Sequence, residues 1–156
     1  MIDGIATAAG CQLISSCDLA YSSENSQFAT PGVNIGLFCS TPMVPLSRTV
    51  GKKQAMEMLL TGDLIDAKKA LSIGLINNVF ETEKLEENVL KIANQIASKS
   101  SATIKIGKDA FYKQKDMSLK EAYDYTSKIM TENMLHKDSE EGITAFLEKR
   151  SPNWKD

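Results

Sequence analysis

"ATAAGCQLISSCD", residues 6–18, is the stretch on which the reading of this chain turns. Three residues without bulk (Ala8, Ala9, Gly10) precede Cys11 and Gln12, and a run ending in Cys17-Asp18 follows. The pattern predicts a helix over residues 8–16 whose start carries no side chain larger than a methyl group. Such a start permits close packing of helix on strand. It also leaves the first N–H groups, which have no intrahelical partner, open to a ligand oxygen. A thioester carbonyl or an oxyanion suits that second use. Composition alone favours packing and leaves binding open. Gln12 can exchange hydrogen bonds, but an amide cannot act as a general base.

The rest of the chain sets limits. With 156 residues and 42% hydrophobic content it has the length of one globular domain with a real core. Eighteen basic and twenty acidic residues leave a net charge of -2, which offers no electrostatic footprint for nucleic acid or an anionic membrane. Three cysteines at positions 11, 17 and 39 do not form a disulfide framework and point to a reducing compartment, and all three read as small core residues. One histidine and no Cys/His cluster argue against a zinc site. No apolar run is long enough to cross a bilayer.

Punctuation gives the organisation. Met1–Ile5 reads as the end of a buried strand, a start in mid-motif that implies an upstream half. Residues 18–22 and 27–29 read as extended, with a turn between them and a loop at Thr30-Pro31-Gly32. Ser40-Thr41-Pro42 reads as a helix start with a capping hydroxyl, and a helix over 52–60 stops at Gly62. Asp66 caps a short helix ending before Gly74, and residues 75–80 (LINNVF) form a strand. Helices follow: residues 83–98, with Leu85, Val89, Ile92, Ala93 and Ile96 on one stripe; a helix opened by the capping box Ser118–Glu121; and a last helix capped by Ser139. His136, beside Lys137 and Asp138, reads as a surface residue.

The segment IDGIATAAGCQLISSCDLAYSSENSQFATPGVNIGL resembles the central segment of the crotonase (enoyl-CoA hydratase/isomerase) family. In that family a strand leads into A-x-G-G-G-x-E/Q-L, then CD, then A-x-F-x-x-P-E-x-x-x-G. Downstream, GKKQAMEMLLTGDLIDAKKALSIGLINNVF and EGITAFLEKRSPNWKD resemble later family segments, so the likeness is collinear over the whole chain. The FATPGVN and FCSTP stretches point to a mitochondrial branch. The resemblance implies an α/β fold: residues 1–80 as part of a ββα spiral core, and residues 81–156 as a helical region that trimerises, giving a homotrimer or dimer of trimers. It implies an acyl-CoA thioester as substrate or ligand, no further cofactor, and an oxyanion hole. One donor of that hole is the backbone N–H matching Ala9, and the other belongs to an upstream segment. Phe146 and Lys149 match residues that hold the adenine and phosphate end of CoA in a neighbouring subunit.

The departures are chemical. Family hydratases add water with two glutamates, and those positions read Gln12 and Gly32 here. The acidic position of the family's isomerases falls near Ser40. A positioned acid or base contributes ~10²–10⁴ in rate, so hydration is expected to be nearly absent. The resemblance therefore leaves three expectations. One is an acyl-CoA enzyme whose chemistry needs only carbonyl polarisation or a base supplied by the upstream half, the second a non-catalytic acyl-CoA binder or scaffold, and the third an inactive fragment.

Overall fold

Short β-prone triplets and small helices alternate in the first half of the chain, and a helix between two strands supplies the long crossover that parallel pairing needs. A computed structural model, which describes residues 1–155, has this arrangement. Strand β1 (Ile5–Thr7) lies parallel to β3 (Gln27–Ala29), with Ile5 opposite Gln27 and Thr7 opposite Ala29. Strand β4 (Ile65–Asp66) adds antiparallel to β3. Strand β2 (Tyr21–Ser23) pairs in parallel with β5 (Asn78–Phe80), and Ile2 bridges to Ser22 on its own.

Helix α1 (Ala9–Ser16) packs on α2 (Ser40–Thr49), and the Thr49 hydroxyl ties their ends together by reaching the carbonyl of Ser15 at 3.0 Å. Helix α3 (Lys52–Thr61) ends at Gly62, whose φ of 66° is the left-handed closure expected there. Asp66 caps α4 (Ala67–Ser72) by accepting the Lys69 N–H at 2.7 Å. The buried set joining these elements includes Cys11, Phe28, Leu46, Met58, Leu59 and Leu75.

Two compact units form, one from Met1 to Lys91 and one from Ile92 onward, so the division runs inside α5 (Leu85–Ala97). The last strand among the described residues ends at Phe80. The second unit carries α6 (Ser101–Gln114), α7 (Leu119–Met134) and α8 (Lys137–Leu147). Ser100 caps α6 through the Thr103 N–H and donates at 2.6 Å to the buried Asp138, whose other oxygen accepts the Lys155 N–H at 2.7 Å. The Ser118–Glu121 capping box of α7 is complete.

Several local expectations are corrected. The first strand after α1 runs Tyr21–Ser23 rather than from residue 18, and only Asn78–Phe80 of the 75–80 run is strand, because Leu75 and Ile76 turn into the core instead of a ladder. Pro31 and Gly32, read together with Thr30 as a loop, instead open a 3-10 turn over Pro31–Ile35 that is closed by Gly36. The cap position of α2 is Cys39 and no side chain caps it, since Ser40 donates back to the Phe38 carbonyl. His136, not Ser139, caps α8: its Nδ1 accepts the Asp138 N–H at 3.2 Å, while the Ser139 hydroxyl is drawn to the Asn133 carbonyl. Cys17, expected in the core, is exposed.

Candidate functional site

Ala9 and Gly32 each stand just beyond the C-terminal end of one of two adjacent parallel strands, β1 and β3. That edge is where open α/β sheets bind ligands. Between β1 and α1 the chain turns at Ala8, which has φ 46° and ψ -110°, a conformation that costs a residue with a Cβ. Both backbone groups of Ala8 are engaged. Its N–H donates to the Ala29 carbonyl at 3.1 Å, and its carbonyl accepts the Gln12 N–H at 2.9 Å.

The turn leaves the exposed Ala9 N–H and the half-buried Gly10 N–H without an acceptor among the described residues. Among the described residues no side chain caps α1 and no acidic residue lies in its first turn, so none of them compensates its positive end. A carbonyl oxygen placed there would meet an N–H donor and the helix dipole together.

Gln12 is half-buried on the same helix, and among the described residues its amide has no partner, while its backbone carbonyl accepts from Ser16. Gly32 lies in the 3-10 turn. Its N–H donates to Cys39 Sγ at 3.3 Å and its carbonyl accepts the Leu37 N–H at 2.9 Å. Neither position supplies an ionisable group.

Burial pushes the Cys11 thiol up to about 11, against the opposing hydrogen bond with Ser15 and with a small addition from Cys39. A thiol held protonated at neutral pH is not a nucleophile. Ser40 and Thr41 are exposed at the start of α2. Beside α1, on the side of Gly10 and Leu13, a cavity of about 350 Å³ is lined by Ile2, Ala6 and Leu19 as well.

Phe146 and Lys149 belong to the second unit. Phe146, at the end of α8, is 81% exposed, and Lys149 follows with a left-handed φ of 55°. Their neighbour Arg150 forks onto Glu141 at 2.6 Å and onto Glu148 at 2.6 Å, holding Glu141 down to about 2.

Two features of the site carried no sequence signal. The Thr30 hydroxyl, directly before Pro31-Gly32, is fully buried with no partner among the described residues. Cys39 reaches back across seven residues to Gly32, a contact that only the folded turn creates. Among the described residues, no cluster of three or more His, Cys, Asp or Glu could hold a metal, and no helix is long and apolar enough to cross a membrane.

Against known proteins, the profile of the family described as enoyl-CoA hydratase/isomerase matches residues 1–156. The "Enoyl-CoA hydratase domain-containing protein 3, mitochondrial" of Rattus norvegicus is 53% identical over 154 residues, covering 99% of this chain and 51% of that protein. The "Enoyl-CoA hydratase, mitochondrial" of Pongo abelii is 38% identical, with 99% of this chain and 54% of that protein covered. Among solved structures, human enoyl coenzyme A hydratase domain-containing protein 3 superposes with a TM-score of 0.96 at 52% identity, over 99% of this chain and 61% of that one. An enoyl-CoA hydratase of Mycobacterium smegmatis gives 0.95 at 44% identity, over 98% and 60%. The chain thus spans about half the length of the curated relatives it matches.

Proposed function

The chain belongs to the enoyl-CoA hydratase/isomerase family, and with it to the α/β crotonase fold. From that premise we propose that it binds acyl-CoA thioesters without hydrating them. The observation that carries this reading is the uncompensated α1 N-terminus, and Gln12 and Gly32, non-ionisable where the resemblance places the hydratase glutamates, support it.

The Ala9 N–H is the donor for the thioester oxygen. Because the backbone supplies it, an alanine serves as well as the family's glycine. Polarising the carbonyl lowers the barrier to chemistry next to it. Water addition needs in addition a base to take its proton and an acid to return one. Gln12 and Gly32 can be neither. An activity confined to carbonyl polarisation, in fatty acyl-CoA metabolism, remains compatible with the site. A scaffold role is the second reading, favoured by the packing of Gly32 against the turn that follows it.

Phe146 and Lys149 are proposed to contact the adenine and phosphate end of CoA bound to a neighbouring subunit of a homotrimer or dimer of trimers. The exposure of both residues supports that role. A mitochondrial location is proposed from the names of the relatives. Calorimetry with acetyl-CoA, beside a crotonyl-CoA hydration assay, tests the function. Saturable micromolar binding without turnover supports it. Turnover overturns the non-hydrating reading, and absence of binding overturns the thioester reading.

A further inference from the structure

We infer that the turn over residues 37–39 locks position 32 as glycine, so that Cys39 and Leu37 determine which chemistry this site can host. The inference deepens the thioester-binding reading and rests on it only for its functional meaning, because the lock itself is a packing statement.

A Cβ built at Gly32 would stand 2.6 Å from the Leu37 carbonyl oxygen and 2.9 Å from Cys39 Sγ. Neither neighbour yields easily. The Leu37 oxygen is backbone, in a turn closed by the Leu37 N–H to the Gly32 carbonyl at 2.9 Å. Cys39 is 8% exposed, lies in the core cluster with Cys11 and Leu46, and accepts the Gly32 N–H at 3.3 Å. The turn is held from the other side as well, by Asn34 Nδ2 donating to the Gly62 carbonyl at 3.4 Å. The glycine is not required by its own dihedral angles, since its φ is not in the positive region. It is required by what fills the space beside it.

A carboxylate at position 32 is therefore excluded by the position of the turn and not merely missing. A glutamate there cannot be accommodated until residues 37–39 move. Hydratase chemistry is not one substitution away, even with Gln12→Glu in place. Cys39 Sγ and the Leu37 oxygen crowd the point from which a glutamate stem would start.

The test uses the 156-residue chain and needs no CoA ligand. Native thiols are counted with a disulfide reagent beside a thermal melt, for the natural chain, Gly32→Ala, Cys39→Ala and Gly32→Ala/Cys39→Ala. In the natural chain the exposed Cys17 is expected to react fast, with Cys11 and Cys39 protected. Gly32→Ala is expected to lower the midpoint by roughly 5 °C and to bring Cys39 into fast reaction as the turn shifts. If Gly32→Ala does not fold, the lock is supported provided the double variant folds. Where both fold, alanine at position 32 must lower the midpoint less in the Cys39→Ala background than in the natural one. An unchanged midpoint and thiol count in Gly32→Ala, or an equal loss in both backgrounds, overturns the inference. A chain with these thiol and melting results that fails to bind acyl-CoA would refute the functional reading while leaving the lock intact.

Discussion

Replacing Ala8 by glycine is expected to stabilise the protein, against the usual sign for alanine-to-glycine changes. At φ 46° and ψ -110° the alanine is in a region that L-residues with a Cβ avoid. Residues held in such regions cost of order 1–3 kcal/mol. Glycine removes that cost and adds about 0.5–1 kcal/mol of backbone entropy lost on folding. The balance is a gain of about 1 kcal/mol, or roughly 2–4 °C in Tm for a chain of this size. Glycine is also better than alanine at an ordinary helix cap, so Ala8→Ser is the necessary companion. Were Ala8 an ordinary extended cap residue, serine would raise Tm at least as much as glycine. At the observed dihedrals serine keeps the strain and gains little. Thermal melts of the three proteins decide the point: glycine above alanine, with serine near alanine, is expected. A serine variant as stable as the glycine variant, or a glycine variant that melts lower, would refute the strain argument and the geometry it assigns to the start of α1.

Three further outcomes follow from groups around the site and in the second unit. Thr30→Val keeps the branched shape and removes a buried hydroxyl that has no partner, so it is expected to raise stability by about 1 kcal/mol in denaturant melts; a loss would mean that the hydroxyl is satisfied. The Cys11 thiol titrates near 11 in the folded chain against 9.0 for the free group, so its burial contributes stability in full below pH 9. That contribution, at most about 3 kcal/mol, is lost as pH rises through the window to 11, and Cys11→Ala should flatten the alkaline limb of a stability–pH profile there. Glu141, held down to about 2 by Arg150, contributes above the ordinary 4.5 and loses its contribution as pH falls towards 2. Glu141→Gln should flatten that acid limb, and a profile identical to the natural one would show the ion pair to be without effect on folding.

Helix α1, the Gly62 stop, the Asp66 cap and the Ser118 capping box were legible because each depends on residues within one or two turns of each other. The family was legible through motifs that run the length of the chain, and the relatives bear it out. Partners brought together by folding were not legible. Cys39 meets Gly32 only because residues 31–35 wind into a 3-10 turn, and nothing in PGVNIGLFC distinguishes that turn from an open loop. His136 displaced Ser139 as the cap of α8 because a ring nitrogen accepts an N–H as well as a hydroxyl does, which a search for hydroxyl caps overlooks. Cys17 has the composition of a core residue but stands just past the last residue of α1, as its C-cap, where it is exposed. At the site, Gln12 and Gly32 could be read directly as residues that carry no carboxylate. The reason glycine stands at 32 could not, since it lies in a backbone oxygen five residues away.

Proton NMR of crotonyl-CoA mixed with the chain tests the central claim most directly, because one spectrum reports binding and hydration together. The expected result is broadening of the crotonyl and thioester-proximal signals, reversed by acetyl-CoA, with the vinyl protons intact after prolonged incubation. Growth of 3-hydroxyacyl signals, or crotonyl lines that the protein leaves sharp, would contradict it.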